Sequence, residues 1–304
     1  MGQLDEIVNR LLHLEETTSD VAFKREIVKE YVYKASSLLA VGTQILPPEP
    51  TQIFNFDISF PGDLVSEFPV PEGSRAGRDR IGWTPYRWYL KKSQGAFLIT
   101  DESTIKGTDQ LQNRMSVMKA IEAIAKDEDA EIIDAIIAGA HVTGSSYYVT
   151  IAGGSEWDTA SGDPEKDILA ARSIVNQYSN VTAAELRKAI VLCGVNVSGE
   201  LMKLQLINNV QQTLAGYLQS SFGISILESR DADLADHAYF IVPGMSTGHH
   251  MVYAGNAVPL SESERVMGVG EDYLVTKYFG SKIVPETSSD AYNYRIVTIH
   301  NTHS

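Results

Sequence analysis

Six basic side chains, Arg75, Arg78, Arg80, Arg87, Lys91 and Lys92, fall between Pro71 and Lys92 against two acidic ones, Glu72 and Asp79, in a 304-residue chain of net charge −14. Trp83, Tyr86, Trp88 and Tyr89 are interleaved with them. Basic and aromatic residues mixed in this way can stack bases and contact phosphates. The acidic total charge argues against a surface that holds nucleic acid as a whole, because a duplex is gripped mainly by Lys and Arg. The same stretch is rich in Pro and Gly and sits in an acidic protein, which favours an acidic protein surface as its partner.

The other candidates for chemistry are weaker. Asp127, Glu128, Asp129, Glu131 and Asp134 are close enough to attract a hard cation, but they lack the spacing and distal Glu of a calcium loop. A solvated helix face, or a docking surface for a basic arm, is the expected role. His249 and His250 are adjacent, so their side chains diverge and do not chelate one metal unaided; the segment GMSTGHHMVYAG reads as a polar turn between strands. A hydrolase would need Ser246 or Ser221 as nucleophile and one of these His residues as base, without the strand, Gly-x-Ser-x-Gly and helix context of a nucleophile elbow. TIAGGSEW and RVMGVGED match neither phosphate-loop pattern. Cys193, the single cysteine, rules out an intrachain disulfide and reads as a small buried apolar side chain. No cofactor and no metal are expected.

These side chains must be positioned by a mixed set of elements. With 43% hydrophobic residues the chain can build a sizeable core. Its apolar runs are too short to span a bilayer and MGQLDEIVNRLLHLEE does not read as a secretory leader. Leu4 to Leu39 has helical periodicity and ends before LPPEP, where proline cannot continue a helix. In IFNFDISF, Phe54, Phe56, Ile58 and Phe60 alternate onto one face of a strand. Residues 61–95, with Pro61, Pro69, Pro71, Pro85 and five glycines, read as a projecting two-stranded arm satisfied by another subunit. A helix from about Asp109 to Gly139 would measure about 45 Å at 1.5 Å per residue, with Leu111, Met115, Met118, Ile121 or Glu122, and Ala125 in one stripe. Asp163-Pro164-Glu165 caps a further helix. KAIVLCGVNV reads as a buried strand, SGELMKLQLINNVQQTLAGYLQ as a helix, AYFIVPG as a strand, and the C-terminal YLVTKYFGSKIVPETSSDAYNYRIVTIHN as an antiparallel ribbon.

In this order the parts resemble the major capsid proteins of tailed bacteriophages and related viruses, the Hong Kong 97-type fold of class α+β. FLITDESTIKGTDQLQNRMSVMKAIEAIAKDEDAEIIDAIIAGA is similar to that family's end-of-arm strand and long spine helix. EWDTASGDPEKDILAARSIVNQYSNVTAAELRKAIVLCGVNVSGELMK looks like the start of its axial domain, and AYNYRIVTI with YFGSKIVPETSSD like returning strands of its peripheral domain. The resemblance implies an N-terminal helical arm at 1–50, an extended loop at 51–98, a peripheral domain at 99–150 with 265–304, and an axial domain at 151–264.

It also implies a non-enzymatic shell protein that self-assembles into hexamers and pentamers of an icosahedral head around double-stranded DNA, held without sequence-specific binding. Subunit contacts would run through Arg75, Arg78, Arg80, Trp83, Arg87, Trp88, Lys91 and Lys92. Scaffolding, portal and decoration proteins are implied partners, the virion the final location and the host cytoplasm the place of assembly; no membrane is involved. Some family members weld subunits by a Lys–Asn isopeptide bond; Lys91 and Lys92 lie in the expected arm, but no Asn or Glu here matches the remaining partners, and no crosslink is expected. The alternatives are an encapsulin-like compartment of the same fold and, from another class, a soluble α/β hydrolase.

Overall fold

A computed structural model of the chain describes residues 39–61, 83–102, 109–140, 148–151, 155–207, 210–230, 234, 237–255, 261–285, 292–300 and 302. The expected N-terminal helices before residue 39 and the centre of the expected arm, residues 62–82, lie outside these. In chain order the strands and helices are β1 (Pro48–Thr51), β2 (Asn55–Pro61), β3 (Trp83–Tyr89), β4 (Lys91–Thr100), α1 (Asp109–Gly139) and β5 (Val149–Thr150). There follow α2 (Pro164–Tyr178), α3 (Ala183–Leu186), β6 (Ile190–Gly194), α4 (Val195–Leu201), β7 (Leu204–Ile207), β8 (Val210–Thr213) and α5 (Leu214–Phe222). The chain closes with β9 (Ser225–Ser229), β10 (His237–Ile241), β11 (Gly248–Tyr253), β12 (Ser261–Val266), β13 (Gly270–Ile283) and β14 (Ile296–His300). The mixture of helices and sheets is the expected α+β class. None of the described helices is long and apolar enough to cross a membrane.

The chain divides into two compact units. The first holds residues 1–54, 90–134 and 250–281. Its sheet runs β1-β11-β13-β12, with β4 also paired to β13. The prolines that break the N-terminal helical pattern, Pro48 and Pro50, lie in β1, which pairs in parallel with β11 as the sheet's terminal strand. Proline lacks an N–H for a ladder, so an edge is where a strand tolerates it. Ile121 and Ile124 of α1 pack with Val252 of β11 and Val275 and Phe279 of β13. Phe54 stacks on Tyr253 at 4.4 Å and meets Tyr278 edge-on at 5.2 Å.

The second unit holds residues 55–89, 135–249 and 282–304. Its larger sheet runs β5-β14-β10-β6-β9, with a core of Ile168, Val175, Val191, Cys193, Phe240 and Val297 among others. Asp163 accepts from the Lys166 N–H at 3.1 Å and Pro164 opens α2, as the sequence predicts. Thr182 and Glu185 form a reciprocal capping box on α3. Glu185 also takes Arg295 at 3.0 Å, and the Thr182 backbone and hydroxyl, with Arg295, hold its carboxyl down at about 2.

Two expectations fail here. SGELMKLQLINNVQQTLAGYLQ is not one helix but α4, a hairpin of β7 and β8, and α5. Leu204 and Leu206 alternate with Gln205 in a strand period, and Thr213 restarts the helix by accepting from the Gly216 N–H. The expected C-terminal ribbon does not form either. β13 is paired to β4 and β12, and β14 pairs instead with β10 and β5. Ile296, Val297, Thr298 and Ile299 are all buried, so β14 has two faces to cover and takes an inner position of its sheet.

The last turn of α1 passes close to β13 within the second unit. A Cβ at Gly139 would lie 2.5 to 2.6 Å from three Ile283 side-chain atoms. Gly139→Ala is therefore expected to lower stability by about 1 to 3 kcal/mol through overpacking. Combining it with Ile283→Ala should cost less than the sum of the two single losses, measured by urea denaturation of the four proteins in a double-mutant cycle.

Candidate functional site

The stem of the expected arm belongs to the second unit. β2 and β3 pair antiparallel from Asn55 opposite Tyr89 to Pro61 opposite Trp83. Phe56 and Trp88 face each other across the ladder and stack at 5.0 Å. Trp88 is buried, while its neighbours Arg87 and Tyr89 are exposed, Tyr89 by 64%. Strand alternation thus sorts the cluster: one aromatic pins the stem and the flanking residues face outward. Arg75, Arg78 and Arg80 lie outside the described residues. So does the side chain of Trp83, whose backbone opens β3.

Lys91 and Lys92 behave differently, because they start β4 in the first unit and not the stem. The Lys91 ammonium donates to Glu131 at 2.5 Å and the Ser93 hydroxyl to Asp127 at 2.6 Å; Lys92 is exposed. Two of the acidic residues of α1 are thus engaged by the chain's own strand. A third, Asp129, accepts from the Gly42 N–H at 2.6 Å.

Glu128 overturns the expectation of a solvated acidic face. It is fully buried, and its carboxylate accepts from Lys277 Nζ at 2.5 Å and from His250 Nε2 at 2.9 Å. His250 Nδ1 lies 2.9 Å from the Ser281 hydroxyl. Because a carboxylate only accepts, Nε2 carries a proton, and Nδ1 pairs with the Ser281 hydroxyl. His250 and Lys277 are themselves 0% and 1% exposed. Half of the segment read as a polar turn, Gly248–Tyr253, is therefore β11, and His250 lies inside the sheet with both ring nitrogens engaged, which removes it as the base of the hydrolase alternative. Burial pushes the Glu128 carboxyl up, but the His250 hydrogen bond and the Lys277 charge outweigh it and hold it below the usual carboxylate range. Burial moves Lys277 the other way, below its ordinary value, against the pull of Glu128.

Sequence spacing contained a signal for this cluster. Ile121, Ala125, Glu128 and Ile132 follow one helical stripe, so Glu128 occupies a core position. Cys193 is buried as expected, and burial beside Glu228 pushes its thiol up to about 12, which leaves it inert as a nucleophile. Among the described residues no group of three His, Cys, Asp or Glu side chains is placed to hold a metal. An open groove of about 500 Å³ lies between β4 and α1, lined by Phe97, Met115, Lys119, Ala120 and Ala123 among others.

A family model described as phage capsid protein matches residues 86–289. The chain belongs to the phage capsid protein family. It is a major capsid protein of the Hong Kong 97 type, and the fold expected from the resemblance is borne out. Its backbone is similar to a virus-like particle from Pyrococcus furiosus, at 15% identity and TM-score 0.57, covering 88% of this chain and 98% of that one. The capsid of a native GTA particle matches at 14% identity and TM-score 0.62, covering 87% and 91%. The mature capsid of bacteriophage PhiM1 matches at 11% identity and TM-score 0.56, covering 86% and 87%. At these identities the likeness is one of fold. No curated protein matches the chain.

In this capsid protein the Glu128 cluster ties the long helix to the sheet of the first unit. Glu128→Gln or Lys277→Met is expected to cost about 3 to 5 kcal/mol by leaving a buried charge unpaired, and the double variant less than the sum. The lowered carboxyl also sets a pH dependence. Its contribution is full above the ordinary value of 4.5 and is lost as pH falls through the lower folded value. Denaturant titrations of wild type from pH 6 to 3 should show stability falling below about 4.5, and Glu128→Gln should flatten that fall.

Proposed function

We propose that this capsid protein acts as a non-catalytic shell subunit, assembling with itself into hexamers and pentamers of an icosahedral head around double-stranded DNA. In this reading residues 51–98 form the extended loop, residues 99–150 with 265–304 a peripheral domain, and residues 151–264 an axial domain at the capsomer centre. Scaffolding, portal and decoration proteins are its further partners, assembly takes place in the host cytoplasm, and the finished shell is the virion's own. The observation that carries the reading is the β2–β3 stem. It belongs to a chain of the phage capsid family, and it buries Trp88 while presenting Arg87 and Tyr89 outward at the base of a strongly basic stretch.

A basic arm on an acidic protein suits contact with another copy of the same protein. Arg75, Arg78, Arg80, Trp83, Arg87, Trp88, Lys91 and Lys92 are the proposed contact set, with Trp88 fixing the stem and Lys91 bridging to its own Glu131. Each exposed charge pair is weak, about 0 to 1 kcal/mol. Repetition around a closed ring raises the total without requiring any strong single contact. A packaged duplex would meet a protein of net charge −14, which permits enclosure without trapping the strand.

Reversal of Arg78, Arg80 and Arg87 to Glu together is expected to abolish particle formation by the full chain in light scattering, with the circular dichroism of the subunit unchanged. Wild-type assembly should also weaken as salt is raised, since exposed pairs are screened within about 8 Å at physiological ionic strength. Assembly that survives the triple reversal would remove the arm from the account.

A further inference from the structure

The hairpin joining β12 to β13 ends in an unusually apolar tip. Val269 N–H donates to the Val266 carbonyl at 3.1 Å, closing a turn whose third residue, Gly268, has φ +74°. That backbone is left-handed and suits glycine. The turn holds Met267 at 95% exposure, flanked by Val266 and Val269, which are also exposed. A hairpin tip with no role of its own would carry polar turn residues, and three apolar side chains projecting together indicate a surface meant to be covered.

Just behind the tip, Glu264 and Asp272 are exposed and directly opposite in the ladder. Like charges in that position destabilise a strand pair. The adjacent Arg265 is directed to Asp101, at 3.1 Å. The hairpin is thus an apolar knob with an acidic collar, complementary to an apolar socket with a basic rim. The same unit carries such a socket in the groove between β4 and α1. Phe97, Met115, Ala120 and Ala123 line it, its volume of about 500 Å³ accommodates one Met and a Val, and Lys119 stands on its edge. Lys119 makes only a loose surface pair with Glu122, at 3.4 Å.

We propose that the β12–β13 tip of one copy seats in the β4–α1 groove of a second copy, with Met267 as the knob and Glu264 and Asp272 meeting the partner's Lys119. This rests on the shell-subunit reading and deepens it by naming a surface that the basic arm does not use. Knob and socket are different surfaces, so the contact is head-to-tail, and each copy engages two others.

The test is oxidation of the full-length Met267→Cys/Ala123→Cys double variant after assembly, with each single variant in parallel and the native Cys193 buried throughout. Both sites are exposed in the subunit. The expected result is a covalent ladder extending past the dimer on a non-reducing gel, with the 267–123 disulfide identified by peptide mass spectrometry and no ladder from either single variant. Particles that form without a ladder, or a dimer from Met267→Cys alone, would overturn the proposed contact and leave the shell reading intact. A wild-type chain that forms no particles would overturn both.

Discussion

A carboxylate sealed inside the first unit sets the terms on which its long helix meets its sheet. Glu128 is accessible to no solvent and is held by Lys277 and His250, from β13 and β11, with Ser281 completing the chain of hydrogen bonds. Apolar packing of Ile121 and Ile124 against Val252, Val275 and Phe279 supplies area but tolerates sliding. Two polar partners converging on one carboxylate do not tolerate it, because any other register leaves a charge buried and unpaired. The cluster therefore specifies the position of α1 on the sheet more than it adds net stability. The neighbouring contacts of Asp127 with Ser93, Asp129 with Gly42 and Glu131 with Lys91 repeat the constraint at the margin.

That fixed register has a consequence for assembly. A subunit that joins through many weak contacts needs those contacts displayed in one geometry, since the free energy of ordering a loose surface would be lost again at every interface. In the second unit the β2–β3 stem is anchored by Trp88 stacked on Phe56, and buried Asn293 donates to the Val284 and Ser246 carbonyls while accepting from the Arg295 N–H. Both units thus combine apolar cores with a few buried polar anchors. That suits a protein whose work is done at its surface.

Much of the architecture was legible from periodicity and caps. Alternation in IFNFDISF gave β2, the helical stripe gave α1 over Asp109–Gly139, and Asp163-Pro164 gave the start of α2. The failures share a physical cause: periodicity shows which face is apolar but not what lies opposite. Glu128 sits on the stripe of Ile121, Ala125 and Ile132, but its partners are distant in sequence, at positions 250 and 277, and the acidic run around it hides that core position. His250 was hidden in a segment whose glycines suggested a turn. The β7–β8 hairpin is hard to tell from a helix in sequence because Leu, Gln and Thr serve either state and only the two-residue period separates them. Pairing of β14 with β10 could not be seen from order alone, since the nearer β13 was the obvious partner.

The measurement that bears most directly on this account is electron cryomicroscopy of the full chain purified after expression alone. The account predicts closed shells, or rings of five and six copies, in which adjacent subunits meet through the basic stem. A solution containing only compact monomers, unchanged by added scaffolding protein, would contradict it.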